Sequence, residues 1–201
     1  MGVKERKLRE KTKLRKKIIK SATKLFLEQG YEGASIRMIA KDIEYSPATI
    51  YLHFKDKQAL FSVIIEEAFS LFKQNLENAK IIADPLSRLQ ELCKRYIRFA
   101  QKEPLYYELI FLERASKDQE GSHLRYTKLT HDLFIQTIQE CKKSNYFLSK
   151  HPESLGLTIW SFIHGLATLE LQERLDYVDP SQRTILLEET LKTFFSFLRS
   201  V

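Results

Sequence analysis

Apolar residues in this chain recur at three- and four-residue intervals, a spacing that predicts helices from end to end. Ile18, Ile19, Ala22, Leu25 and Phe26 share one helical face, and Gly30 stands where a helix C-terminus favours glycine. Ser35 precedes Ile36, Ile39 and Ala40 as the N-cap of a short amphipathic helix. Pro47, Pro85, Pro104, Pro152 and Pro180 each open a helical pattern, at a position where a missing N–H costs nothing. Ser46, Asp84 and Asp179 precede three of these prolines as N-caps. Leu86, Leu89, Cys93, Tyr96, Ile97 and Ala100 form one further stripe, and Thr130, Leu133, Phe134, Ile138 and Cys141 form another. No segment sustains the period-two alternation of a half-buried strand, so the expected fold is all-α.

The last two helical segments are apolar on more than one side. After Pro152, Leu155, Ile159, Phe162, Ile163 and Leu166 make one face, and Leu157, Trp160, His164, Ala167 and Leu171 make a second. Ile185, Leu186, Leu187, Leu191, Phe194, Phe195, Phe197 and Leu198 leave little of the final segment polar. A helix that is apolar on two sides must be covered on two sides. The economical solution is a homodimer in which each subunit contributes both helices to a four-helix contact. Phe162, Ile163, Leu166, Leu191, Phe194, Phe195 and Leu198 are the expected dimer face. A pair of wholly buried core helices in a monomer is the alternative.

Composition narrows the class. The 201 residues are 43% hydrophobic and 29% charged, as in a globular chain. No apolar run reaches the roughly 18 residues that a bilayer span requires. The basic N-terminus is followed by no signal-peptide core, and the two cysteines, Cys93 and Cys141, form no metal or redox motif. A reducing cytoplasm is the expected compartment. The net charge of +7 is unevenly placed. Residues 1–60 hold 15 Lys and Arg against 7 Asp and Glu, whereas the remainder holds 18 against 19. A basic module that meets a polyanion, joined to a near-neutral module, is the reading this asymmetry favours.

Residues 35–57 supply the candidate chemistry. A short helix, a turn of about three residues and a second short helix make a helix-turn-helix, whose second helix fits a DNA major groove. Ser46 and Pro47 start that second helix, and small Ala48 permits close approach. Thr49, Tyr51 and His53 offer hydrogen-bonding groups, Ile50 and Phe54 turn inward, and Lys55 and Lys57 follow where a DNA backbone would pass.

Leu25-Phe26, Gly30-Tyr31, Ile39-Ala40, Ser46, Thr49-Ile50-Tyr51, His53-Phe54, Lys57 and Leu60 together resemble the TetR family of bacterial transcriptional regulators. Trp160, His164 and Gly165 resemble the Trp…His-Gly signature of one group of its ligand-binding domains. The resemblance implies that Ser35, Arg37, Ser46, Pro47, Ala48, Thr49, Tyr51, His53, Lys55 and Lys57 line a double-stranded DNA operator. It implies a homodimer reading a palindrome and releasing it, as a repressor, on binding a small-molecule inducer. Where the family commonly has Ala-Gly in the turn, this chain has Ile43-Glu44, which asks Glu44 to take a left-handed conformation. The domains expected are a flexible basic arm over 1–13, a DNA-binding domain over 14–60, and a helical ligand-binding and dimerisation domain over 61–201.

An inducer of the family's kind would meet Phe69, Tyr96, Phe99, Tyr107, Phe111, Trp160 and His164, which suits a hydrophobic or aromatic ligand. The same aromatics at helical spacing equally describe plain core. The basic arm either lies along DNA phosphates or enters an adjacent minor groove, or it is a disordered, solvated tail. No catalytic motif, metal-ligand pattern or cofactor loop occurs, so neither an enzyme nor a cofactor is expected. A DNA binder controlled by a protein partner and a basic-armed protein on an anionic membrane are the rival classes. The arm lacks the apolar face that membrane insertion requires.

Overall fold

A computed structural model describes residues 2–112, 120–147 and 151–200. The regular structure among those residues is entirely helical, with no strand. The helices are α1 (Val3–Gly33), α2 (Ile36–Asp42), α3 (Pro47–Tyr51), α4 (Lys57–Glu77), α5 (Pro85–Lys102), α6 (Pro104–Phe111), α7 (Glu120–Lys143), α8 (Pro152–Leu171) and α9 (Pro180–Ser200), with a 3-10 turn at Asn78–Ile81. All five prolines open a helix, as their spacing predicts. The chain divides into two compact units: Met1–Phe69 with Leu105–His123, and Ser70–Pro104 with Leu124–Val201. This departs from a single cut near residue 60, because the first half of α4 and all but the opening proline of α6 belong with the N-terminal unit.

In the first unit, Ile18, Ala22 and Phe26 of α1 are buried with Ile39 of α2, Ile50 of α3 and Phe61 of α4. The Phe26 and Phe61 rings meet edge-on at 5.0 Å, and Tyr31 meets Phe61 edge-on at 4.9 Å. Such edge contacts align the positive rim of one ring with the negative face of another. Gly30 breaks the α1 helix with φ 69°, a value that only glycine adopts at little cost. The expectation of a flexible arm is corrected at the other end of α1, which extends back to Val3 as helix. Within it, residues 4–13 are exposed.

In the second unit, α5 carries the plainest amphipathic stripe. Asp84 caps it by accepting from the Ser87 N–H at 2.8 Å, and Leu86, Leu89, Cys93, Tyr96, Ile97 and Ala100 are all buried. It packs chiefly on α8, whose buried row is Leu155, Ile159, Ile163 and Ala167. Gly156 lets α8 approach α7 closely, since a Cβ there would lie 2.5 Å from Ile135 Cδ1. The Arg88–Glu140 ion pair at 2.9 Å ties α5 to α7. Both cysteines are buried free thiols. Burial pushes Cys93 up and Cys141 up to about 12, so neither is a ready nucleophile.

The expected dimer face is corrected in part. Ile163, Leu191, Phe195 and Leu198 are buried inside their own subunit, because the α8 and α9 stripes that carry them face the unit's interior. Phe162 and Phe194 stack on each other at 3.8 Å and are half-buried, as is Leu166. The apolar side chains left outside on these helices are Leu157, Trp160, Leu169, Ile185, Leu186 and Phe197.

Replacing Phe26 by Ala removes a fully buried ring from the three-ring cluster. The expected loss is about 3–5 kcal/mol, read as a lower midpoint in urea unfolding followed by circular dichroism.

Candidate nucleic-acid interface

The turn between α2 and α3 is built by hydrogen bonds that the local sequence dictates. Ser35 caps α2 by accepting from the Met38 N–H at 3.3 Å. At the other end, the Tyr45 N–H donates to Ala40 O at 2.9 Å and the Glu44 N–H to Lys41 O at 3.1 Å. This pair of bonds is a Schellman motif, which requires a left-handed residue at the position Glu44 occupies. Glu44 has φ 61°, as its place in the turn predicts. Two side chains of α1 clamp the turn: Lys17 Nζ donates to Ile43 O at 2.9 Å, and Ser21 Oγ donates to Asp42 Oδ2 at 2.6 Å.

The second helix follows directly. Ser46 caps α3, its Oγ accepting from the Thr49 N–H at 3.3 Å and lying 3.0 Å from Thr49 Oγ1. That first-turn N–H is therefore satisfied internally rather than left for a phosphate. Ile50 and Phe54 are buried beneath the helix. Ala48 and Tyr51 of the helix and Leu52 and Lys55 of the turn after it are exposed, while Pro47, Thr49 and His53 are half-buried. Arg37 and Ser46 are also exposed, and Ser35 is half-buried. Burial, and then the charges of Lys11 and Arg15, hold His53 below the ordinary histidine pKa. Its ring is accordingly neutral at pH 7 and offers one donor and one acceptor.

Two positions differ from the sequence reading. Lys57 turns inward, where its ammonium donates to Tyr31 O at 2.8 Å and Ala34 O at 3.2 Å and lies 4.3 Å from the centre of the Tyr31 ring. Its charge serves the end of α1, whose carbonyls lack helical partners. Leu52, not singled out from the sequence, is 79% exposed beside Tyr51. An exposed leucine at the end of such a helix is suited to a thymine methyl group. Its place among positions 48, 51, 52 and 55 was the available signal.

The aromatic residues expected around a ligand fall into two groups, one in each unit. Phe111 lies 6.3 Å from Phe69 and 4.9 Å from Tyr107 between ring centres, and Phe69 and Tyr107 are buried. In the other unit, Phe72 contacts Tyr96 and Phe99. Trp160 Nε1 donates to the Tyr96 hydroxyl at 3.3 Å, and that hydroxyl is 3.1 Å from His164 Nδ1. Tryptophan can only donate, so this chain fits a neutral His164 with its proton on Nε2. Burial lowers the His164 pKa. Phe99 also lines an open groove of about 450 Å³ beside Asn75, Arg95, Arg98 and Lys102.

Residues 18–64 match the model of the bacterial regulatory proteins of the tetR family, and residues 89–194 match that of the tetracyclin repressor-like C-terminal domain. The chain belongs to the TetR family, a family of transcriptional regulators rather than enzymes. The chain is 35% identical over 72 residues to the HTH-type transcriptional regulator UidR of Escherichia coli K12. That match covers 34% of this chain and 37% of UidR, well under half of either. Among solved structures, the fatty acid degradation regulator FadR of Bacillus halodurans superposes with a TM-score of 0.72 at 18% identity, covering 92% of this chain and 94% of FadR. AibR in complex with isovaleryl coenzyme A and operator DNA gives 0.66 at 18% identity, over 74% of this chain and 83% of AibR. These structural likenesses carry the fold: a helix-turn-helix head followed by a larger helical part.

Glu44→Gly relieves a left-handed glutamate and removes a carboxylate from the turn. Melting is expected to rise by the equivalent of about 1 kcal/mol, with tighter duplex binding at low salt; a lower melting temperature contradicts the strain assigned to Glu44. For His164, a folded pKa below the ordinary 6.5 means that the unfolded chain takes up the proton first as pH falls. Stability is therefore lost from about pH 7 downward through that interval. His164→Gln is expected to flatten the dependence, measured as urea midpoints between pH 7.5 and 5.

Proposed function

We propose that this protein is a sequence-specific DNA-binding repressor acting as a homodimer, with Ala48, Thr49, Tyr51, Leu52 and His53 directed at base edges and Arg37 and Lys55 at phosphates. The observation that carries the reading is the split along α3 and the turn that follows it, with Ile50 and Phe54 buried and Ala48, Tyr51, Leu52 and Lys55 exposed. A major groove admits one helix and displays a distinct pattern for every base pair, so a short helix with a small residue, an aromatic hydroxyl and an apolar tip on its outer side can discriminate sequence. The exposed apolar side chains of α8 and α9, Leu157, Leu169, Ile185, Leu186 and Phe197, with the edge of the Phe162–Phe194 stack, form the surface on which a second copy docks. Pairing two heads this way makes the operator a palindrome.

For the signal, the aromatic-lined helical unit favours an apolar or acyl ligand. Support comes from two structural neighbours, a fatty acid degradation regulator and a complex with isovaleryl coenzyme A. Such a ligand acts only by binding the DNA-incompetent arrangement of the dimer better than the competent one.

Selection from a random duplex library, followed by footprinting of the promoter beside the protein's own gene, tests the reading. The expected result is two inverted half-sites for the wild type, a broadened base preference for Tyr51→Ala, and a salt slope reduced by about one for Lys55→Gln. Phe197→Glu is expected to leave a single half-site and a monomer on sedimentation. A folded wild-type dimer that enriches no sequence at moderate ionic strength overturns the proposal.

A further inference from the structure

The N-terminal half of α1 carries more charge than the head uses. Residues 3–17 hold nine Lys and Arg and two glutamates. Glu5 accepts from the Gly2 N–H at 3.1 Å, and Glu10 lies 3.6 Å from Arg6. Neither glutamate lies on the row Lys4, Lys7, Lys11 and Arg15, which follows the helical repeat. Extended by the same repeat, that row becomes Ile18 and Ala22, both fully buried in the head. The face that packs the core is thus continued N-terminally as a line of cations.

This line is anchored at the recognition element. The Arg15 guanidinium sits 5.2 Å from the centre of the Phe54 ring and 3.9 Å from Glu67. Lys11 and Arg15 together depress the His53 pKa after burial has done so. Among the described residues, Lys4, Lys7 and Lys11 enter no ion pair. Like charges spaced three and four apart repel along a helix, and an external polyanion would relieve that repulsion. Leu8, 66% exposed, is the only apolar side chain among residues 4–13, too little for burial in a lipid interface.

We infer that the helical extension of α1 is a second DNA-contacting element, whose row Lys4, Lys7 and Lys11 follows the phosphates of duplex flanking the bases met by α3. The inference rests on the DNA-binding reading above and adds to it a contact outside the recognised bases. From Lys4 to Arg15 the helix rises roughly 16 Å, about the length of five base pairs. The extension therefore lengthens the footprint without reading sequence, and it does so as a rigid rod rather than as a mobile tail.

The test uses the full chain and the duplex chosen by library selection. Lys4→Gln/Lys7→Gln/Lys11→Gln removes three exposed charges and no packing. It is expected to lower the slope of log affinity against log salt by about two to three, with the same bases selected. Trimming five flanking base pairs is expected to weaken the wild type and leave this variant unchanged. Leu8→Pro keeps every charge while breaking the helix, and is expected to lower the slope as well. Equal slopes and equal flank dependence for wild type and triple variant overturn the inference. A wild-type slope in Leu8→Pro overturns the rigid-rod form of it. Loss of binding to phosphatidylglycerol vesicles with duplex binding intact assigns the row to a membrane and overturns it too. If the wild type selects no sequence, the reading of α3 fails separately, and slopes on an arbitrary duplex still decide whether this row meets DNA.

Discussion

Helix ends leave carbonyls without partners, and a head built from short helices has many such ends for its size. The way α1 and α4 deal with them holds the recognition element in place. Lys17 reaches across to Ile43 O at the end of α2, and Lys57 reaches back to Tyr31 O and Ala34 O at the end of α1. Each lysine sets a positive charge at the negative end of a helix, where it is electrostatically favoured. With Ser21 on Asp42, these contacts secure the turn whose left-handed Glu44 would otherwise favour glycine. The angle at which α3 leaves α2, and so the surface it offers to DNA, follows from those clamps and from Ile50 and Phe54 beneath.

The charge distribution acquires a spatial meaning from the same helix. One continuous α1 supplies core at Ile18, Ala22 and Phe26, clamps at Lys17 and Ser21, and cations from Lys4 to Arg15. A polyanion that meets α3 thus meets a protein whose positive field extends beyond the recognition helix. The second unit presents apolar surface on α8 and α9 and polar bonds among Tyr96, Trp160 and His164.

Parts of the candidate site were legible in the residues. Ser46-Pro47 announced the start of α3, and Ile50 and Phe54 announced its inner side, because caps and periodicity act within a few residues. Glu44 was legible as a left-handed residue from the turn it had to complete. Lys57 was not, since its partners lie 23 and 26 residues earlier in the chain. Leu52 was missed because leucine reads as core until neighbouring elements leave it uncovered.

The chain's own pattern determined the all-helical class, the starts of the helices at five prolines, the helix-turn-helix and the concentration of positive charge before residue 60. These are local properties: hydrogen bonds close within four residues and apolar stripes repeat every 3.6. Only the tertiary structure decided which apolar stripe of α8 and α9 faces inward, that α1 continues to Val3, and that the first half of α4 packs with the head. Those outcomes depend on burial, a relation between elements far apart in sequence. Two stripes of equal hydrophobicity are distinguishable only once α5 has covered one of them.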